Sequence, residues 1–244
     1  MNTDSLFFSI VVPVYNEEDA ITPSIRKIEG YLAQKNIKYE IILVDDGSVD
    51  NTKEKIKYAI VGNPKIKLLE NATNEGKGSA VRKGTLNSRG DYIIFMDADL
   101  STPVEEISKI MDSLDIDKEA IFIGTRDEKE RSTKVVRPAV RKLISSVYNF
   151  VVNLLFNLDI KDVGCGFKCF SSKIAKEIFK RQYIKGWVFD VEVLLRVRIR
   201  DIRIKEIPVS WTSHLPTRLN IIPDSIYCSF DLTKLLFYYL FKKI

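Results

Sequence analysis

The sequence predicts an α/β fold: a mostly parallel, Rossmann-like sheet with helices on both faces, followed by amphipathic helices toward the C-terminus. Three observations carry this. Short apolar runs alternate with stretches of helical spacing, polar turn clusters follow the ends of several of those runs, and two long, nearly uncharged segments stand late in the chain. Alternating strand and helix signals are the mark of a parallel sheet, and such sheets bind ligands beyond the carboxyl ends of their strands.

The elements follow in order. Phe7–Val14 (FFSIVVPV) is almost continuously apolar, as a strand buried on both faces must be. Glu18–Gln34 has helical spacing, with Ile21, Ile25, Ile28 and Leu32 on one stripe. Tyr39–Val44 (YEIILV) is a second buried strand, and Asp45-Asp46-Gly47-Ser48 turns the chain into a helix. Ile66–Leu69 is a third strand. Asn74–Ser88 opens with Gly76 and Gly78 and continues as a helix. Asp91–Met96 (DYIIFM) and Ala120–Gly124 (AIFIG) are the fourth and fifth strands. Asp127–Arg137 is polar, charged and read as a loop. Leu143–Leu158 then carries no charge, and Asn149, Asn153 and Asn157 recur at every fourth position, a narrow polar stripe on an otherwise apolar helix. Such a helix fits either a core or a membrane interface. Ile226–Phe241 raises the same choice: its charges are Asp231 and Lys234, it ends in LLFYYLF, and Lys242 and Lys243 follow.

Composition bounds the function. Of 244 residues, 45% are hydrophobic and 29% charged, an ordinary globular balance. The net charge of +5 is mild and its basic residues are interspersed with acids, which argues against nucleic acid and is compatible with anionic lipid. Three cysteines, Cys165, Cys169 and Cys228, and one histidine argue against a zinc site; the thiols are read as reduced and the compartment as cytosolic. No secretory leader is expected, and no run reaches the roughly 18–20 apolar residues that span a bilayer.

Four polar clusters stand at strand ends or helix starts. Asp97-Ala98-Asp99 follows DYIIFM; residues two apart on an extended chain point the same way, so both carboxylates can face one site. Two like charges held together call for a cation, and Mg²⁺ or Mn²⁺ bound by one or two carboxylates plus substrate phosphates meets that need. Asp45–Ser48 follows the second strand, where an acid can accept from a base or ribose. Pro13-Val14-Tyr15-Asn16-Glu17 follows the first, with Tyr15 able to stack on a base and Glu17 to accept a donor. Asn74–Ser79 is not a P-loop, but its N–H groups and Lys77 can approach a diphosphate. Each cluster alone is equally well a turn or a helix cap. Together they converge on one crevice and argue for a nucleotide site.

These residues are also recognisable. SIVVPVYNEE, ILVDDGS, NEGKGSAVRKG and FMDADLSTP, in this order, resemble the family 2 inverting glycosyltransferases, whose fold is called GT-A. DVGCGFKCF, WVFDVEVLLR and IKEIPVSW are similar to segments of the dolichyl-phosphate glucosyltransferases, of which the dolichyl-phosphate mannose synthases are close relatives. The resemblance implies that Pro13, Tyr15, Glu17, Val44 and Asp46 hold the nucleoside of a nucleotide-sugar donor. It implies that Lys77, Asp97, Ala98 and Asp99 sit at the diphosphate, with Asp97, Asp99 and Ser101 on the metal, and that Arg126 reaches the donor phosphates. Where the glucosyltransferases have Gly-Ser-Lys after the tryptophan of PVxW, this chain has Pro216-Thr217-Arg218; Thr217 and Arg218 are the implied binders of the acceptor phosphate, and Pro216 removes the glycine's freedom. Asp190 and Glu192 fall near the site as a base or as orienting groups.

The implied activity is transfer of a hexose, glucose from UDP-glucose, to a polyprenyl (dolichyl) phosphate with inversion. A GT-A catalytic domain covers residues 1–219, including an interface helix at about 138–158, and a membrane-associated segment covers 220–244. The protein is expected to be monotopic or peripheral at the cytoplasmic face of a membrane. Transfer of mannose from GDP-mannose, and transfer to a sugar hydroxyl, are the competing activities; the QxxRW motif of processive synthases is absent. Intact Asp97, Asp99 and Arg126 argue against a binding protein without turnover.

Overall fold

The computed structural model describes residues 6–116, 120–126, 135–136, 139–212 and 221–242. Its strands are β1 (Phe7–Val14), β2 (Lys38–Asp45), β3 (Ile66–Glu70), β4 (Tyr92–Phe95), β5 (Ile121–Thr125), β6 (Val135–Val136), β7 (Lys168–Ser171), β8 (Ile204–Pro208) and β9 (Trp211–Thr212). Its helices are α1 (Ile21–Gln34), α2 (Thr52–Ala59), α3 (Lys77–Leu86), α4 (Ile107–Ile116), α5 (Ala139–Phe156), α6 (Ser172–Lys180), α7 (Phe189–Ile199) and α8 (Ile221–Lys242).

Seven strands form one sheet in the order β3-β2-β1-β4-β7-β5-β8, and β6 and β9 pair separately. The β1, β2, β3 and β4 pairings are parallel, as is β5 with β8. The exception is β7, antiparallel to both β4 and β5. The sequence expectation of five parallel strands is therefore incomplete. β7 is four residues long and begins with a lysine, and β8 (IKEIP) is a half-exposed edge strand with charged Lys205 and Glu206, so neither shows as an apolar run. The inversion matters for function. Lys168, the first residue of β7, pairs with Phe95, the last of β4. The segment entering β7 therefore lies at the carboxyl edge of its neighbours.

Alternation along the strands builds two cores. Phe8, Ile10, Val12, Ile41, Leu43, Ile94 and Phe122 pack with Ile21, Ile25, Ile28 and Leu32 of α1, Ile56 of α2, and Ile107, Ile110 and Leu114 of α4. Val11, Ile42, Val44, Ile93, Phe95, Ile121 and Ile123 pack on the other face with α3, α5, α6, α7 and α8. The α1 stripe is the one its periodicity indicates, although the helix starts at Ile21 because residues before it form a turn in which the Glu17 carbonyl accepts from Ala20 and Ile21 N–H.

The two uncharged segments are helices with a divided allegiance. On α5, Val152 and Phe156 are buried, and Phe156 meets Tyr239 of α8 edge-on with ring centroids 6.1 Å apart. On α8, Leu232 and Leu235 are buried. Leu143, Val147, Phe150 and Leu154 on α5, and Tyr227, Phe230, Phe237 and Phe241 on α8, are each more than half exposed. Among the described residues, no helix is long and apolar enough to cross a membrane.

The tightest helix-to-sheet approach is made by α3. A β-carbon at Gly84 would collide with Val11 Cγ1 and stand 3.1 Å from Val44 Cγ2. Gly84→Ala should therefore cost about 1–3 kcal/mol, the usual penalty of overpacking, despite the better helix propensity of alanine. A lowered urea midpoint at unchanged slope is the expected result, and an unchanged midpoint would show that α3 can retreat from the sheet.

Candidate active site

The crevice lies at the carboxyl edge of β1, β4 and β5, and Asp97 is at its centre. The chain leaves β4 through Met96 and Asp97 and turns at Leu100, which has φ 50° and donates its N–H to the Asp97 carbonyl at 3.1 Å. Ala98 faces the core. Asp99 accepts the Ser101 N–H at 2.9 Å and the Ser101 hydroxyl at 2.7 Å. Lys77 opens α3 and places Nζ 2.6 Å from Asp97 Oδ1. Behind that carboxylate the backbone of Gly166 passes so closely that a β-carbon there would stand 2.7 Å from Asp97 Oδ1.

The charges are matched by geometry. Burial pushes the Asp97 carboxyl up, but Lys77, Arg126 and Lys168 outweigh it and hold it below the usual range. Burial also works against the Lys77 ammonium, and Asp97, Asp190 and Asp99 more than restore it. Its Nζ further stands 5.4 Å from the centre of the Trp187 ring.

Arg126 follows β5. Asp162 accepts its Nε at 2.6 Å and its Nη2 at 2.6 Å, a bidentate fork, and also takes its backbone N–H at 3.1 Å. The guanidinium lies 5.3 Å from the Trp211 ring centre. Burial disfavours both charges of this pair, and each partner more than compensates the other, raising Arg126 and lowering Asp162.

A third pair sits beneath. Lys168 is almost wholly buried, and its Nζ donates to Asp190 Oδ1 at 2.6 Å, to the Val163 carbonyl at 3.1 Å and to the Cys165 carbonyl. Burial pushes Asp190 up, while Lys168 and Lys77 pull it back. Glu192, wholly buried one helical step away, accepts the N–H groups of Tyr183 and Ile184 and pairs with Arg196 at 2.7 Å. Its contacts are those of a group that orients the 183–184 backbone, and its burial removes it from the crevice as a base.

The remaining sequence candidates divide. Tyr15 and Glu17 are half-buried on the loop after β1, just past Val14, whose carbonyl accepts the Asp46 N–H at 2.8 Å. Asp46 is buried and accepts Asn71 Nδ2 at 2.7 Å, Glu75 N–H at 3.0 Å and Gly76 N–H at 2.8 Å, so it anchors the loop that leads into α3. Pro13 is half-buried at the end of β1. The Val44 side chain belongs to the core, because strand alternation turns it toward α3, and Ala98, in the turn beyond β4, packs into the core on the opposite face. Both side chains are buried. Thr217 and Arg218 lie outside the described residues.

Asp162, Lys168 and Gly166 were not singled out from sequence. The one available signal was a lysine inside the apolar run GFKCF. Cys165 and Cys169 are buried and free, and burial pushes the Cys165 thiol up to about 11, which leaves it protonated and inert.

The donor set fits a hard divalent ion. Among the described residues no three His, Cys, Asp or Glu side chains cluster; Asp97 and Asp99 are hard oxygen donors of the kind a divalent ion takes together with substrate phosphates. The Lys77 ammonium is paired with Asp97 and is also favoured by the charges of Asp190 and Asp99.

Residues 9–179 match the sequence model of Glycosyl transferase family 2. The chain belongs to this family. It is 34% identical over 248 residues to the dolichyl-phosphate beta-glucosyltransferase of Dictyostelium discoideum, covering 97% of this chain and 76% of that protein. To the enzyme of the same description from Saccharomyces cerevisiae it is 32% identical, covering 94% and 74%; to that from Homo sapiens it is 35% identical, covering 84% and 67%. The family 2 fold, GT-A, is shared with glucosyl-3-phosphoglycerate synthase from Mycobacterium tuberculosis in complex with Mn²⁺, UDP-glucose and phosphoglyceric acid, at TM-score 0.70 and 16% identity, over 95% of this chain and 79% of that one.

The buried Lys168–Asp190 pair gives a test of this family 2 site. Lys168→Met leaves a buried carboxylate without its cation and should cost about 3–5 kcal/mol, whereas Lys168→Met with Asp190→Leu should recover most of that loss. Chemical denaturation of the three chains decides it. A double variant as unstable as the single one would show that the lysine's bonds to the 163 and 165 carbonyls, not the ion pair, dominate.

Proposed function

We propose that this family 2 glycosyltransferase moves glucose from UDP-glucose to a polyprenyl (dolichyl) phosphate, with inversion, at a membrane surface. The observation that carries the reading is the placement of two cations, Lys77 and Arg126, about the Asp97 carboxylate at the carboxyl edge of the sheet. That is a site for a nucleoside diphosphate bound with a metal. The choice of glucose and of a dolichyl-phosphate acceptor is supported by the names of the relatives. Residues 1–219 form the catalytic domain in this reading and 220–244 the membrane segment, although Leu232 and Leu235 of α8 bury against the catalytic core.

Tyr15 and Glu17, with Pro13, flank the nucleoside, and the anchored Asp46 fixes the loop from which Lys77 projects. Asp97 and Asp99, with the Ser101 hydroxyl on Asp99, would hold Mg²⁺ or Mn²⁺, which would supply positive charge against the leaving diphosphate. Arg126 faces the same charge with a fixed guanidinium, because Asp162 leaves it no rotation. Lys77 is within reach of Asp97 before the donor arrives and is free to turn to the diphosphate afterwards. A phosphate monoester has a second pKa of about 6 and is already a nucleophile at pH 7, so no protein base is needed. Thr217 and Arg218 are proposed at the acceptor phosphate. One in-line displacement converts an α-linked donor into a β-linked lipid phosphate.

The test is transfer by purified protein with Mg²⁺ or Mn²⁺, polyprenyl phosphate, and UDP-glucose or GDP-mannose in parallel. Transfer of glucose with inversion, reduced at least about a hundredfold by Asp99→Ala, is expected. Transfer from GDP-mannose alone moves the protein to the mannose branch, and an α-linked product overturns the mechanism.

The exposed apolar stripes of α5 and α8 support the membrane reading, since a Leu or Phe side chain taken fully out of water contributes about 1.5–3 kcal/mol. Leu154→Glu combined with Phe237→Glu should lower co-sedimentation with anionic vesicles about tenfold or more, while Asp99→Ala leaves it unchanged. Equal sedimentation of all three chains would remove these stripes from any role at a membrane.

A further inference from the structure

Asn149 and Asn153 do not face solvent as a passive stripe; they grip the segment that follows α5. Asn149 donates Nδ2 to the Lys161 carbonyl at 2.9 Å, and its Oδ1 accepts the Val163 N–H at 3.2 Å. Asn153 does the same one turn on, donating to the Ile160 carbonyl at 2.8 Å and accepting the Ile160 N–H at 3.1 Å. A carboxamide carries one donor face and one acceptor face, so it can replace a neighbouring strand for an irregular backbone. Asn157 closes the turn: at φ 49° it ends α5 and donates its N–H to the Asn153 carbonyl at 2.8 Å. From the other side Glu206 of β8 accepts the Lys161 N–H at 2.8 Å, and Lys168 holds the Val163 carbonyl.

The held segment, residues 160–163, presents one side chain to the crevice, Asp162, and Asp162 holds Arg126 by its backbone and by both arms of the fork. The two hydrogen bonds of Asn149 fall on the residues immediately before and after Asp162. Another face of the same helix is the exposed apolar stripe of Leu143, Val147, Phe150 and Leu154.

We infer that Asn149, seconded by Asn153, is a positioning residue for Arg126, acting through the 160–163 segment and Asp162, so that α5 fixes the cation facing the donor diphosphate. This rests on the proposed reading of Arg126 as a donor-phosphate ligand. Without Asn149 the Lys161 carbonyl and the Val163 N–H, one on each side of Asp162, lose this partner, and a displacement of order 1 Å in a catalytic group costs on the order of a hundredfold in rate.

A double-mutant cycle on the full chain tests it, read by calorimetric UDP binding in the presence of Mn²⁺ and by thermal melting. Asn149→Ala should weaken UDP about tenfold when Arg126 is present and less than about twofold in the Arg126→Gln background. Asn149→Asp, which keeps the acceptor for Val163 and loses the donor for Lys161, should fall between, and Asn153→Ala should show a smaller effect of the same pattern; either serves in place of Asn149→Ala if that chain does not fold. Equal weakening in both backgrounds, or none in either, overturns the inference and leaves Asn149 a stabilising residue only. The reading it rests on fails differently: a wild-type chain that does not bind UDP, or an Arg126→Gln chain that binds UDP as tightly as wild type, removes Arg126 from the phosphate and this inference with it.

Discussion

Pairing of buried charge is the constraint on which the carboxyl edge of this sheet depends. Asp97, Asp162 and Asp190 lie within one crevice, and each has its own cation at 2.6 Å: Lys77, Arg126 and Lys168. A buried ion unpaired costs several kcal/mol, and a buried pair roughly breaks even, so these pairs are weak evidence for stability and good evidence for geometry. Each also fixes backbone. Lys77 ties the start of α3 to the end of β4, Asp162 ties the 160–163 segment to the end of β5, and Lys168 ties the entry of β7 to α7. The inverted direction of β7 makes this possible, because it delivers Gly166 and Lys168 to the edge where Asp97 leaves β4.

The fold was legible where one rule dominates locally. β1, β2 and β4 are buried on both faces and read as unbroken apolar runs; α1 shows its buried stripe at helical spacing. β7 and β8 obey competing demands. Lys168 belongs to a strand only because Asp190 and two carbonyls satisfy its ammonium in the core, and Glu206 sits on an exposed edge where Lys161 needs an acceptor. No periodicity records a partner 22 or 45 positions away. The site shows the same division. Asp97, Asp99, Arg126 and Lys77 follow strand ends or open a helix and can be found by position. Asp162 is recognisable only through Arg126, 36 residues distant. Val44 and Ala98 lie beside candidate positions in sequence, and their side chains go into the core.

For α5 and α8 the choice between core and interface has no single answer, and this explains why sequence cannot make it. An apolar helix with a polar stripe is expected to bury the apolar side and expose the stripe. On α5 the asparagines are occupied by the backbone of 160–163, Val152 and Phe156 enter the core, and a third, apolar face is left toward solvent. On α8, Leu232 and Leu235 bury while Phe230, Phe237 and Phe241 do not. Hydrophobic periodicity counts apolar faces without saying which of them the protein itself covers.

The pairing pattern also bears on the acceptor. A sugar hydroxyl must lose a proton during transfer, and a protein base must take it. Glu192 is wholly buried and held by two N–H groups and Arg196, Asp162 is forked to Arg126, and both Asp99 oxygens accept from Ser101. Asp97 is paired with Lys77, and Asp190 is the carboxylate left, whose affinity for a proton burial raises. Yet its protonation would strip Lys168 of its counter-charge in the interior, at a cost of the same order as breaking any buried pair. A phosphate acceptor imposes no such step. It arrives as an anion, its attacking oxygen needs no deprotonation, and the carboxylates of the site can remain what their cations make them, fixed charges paired with Lys77, Arg126 and Lys168.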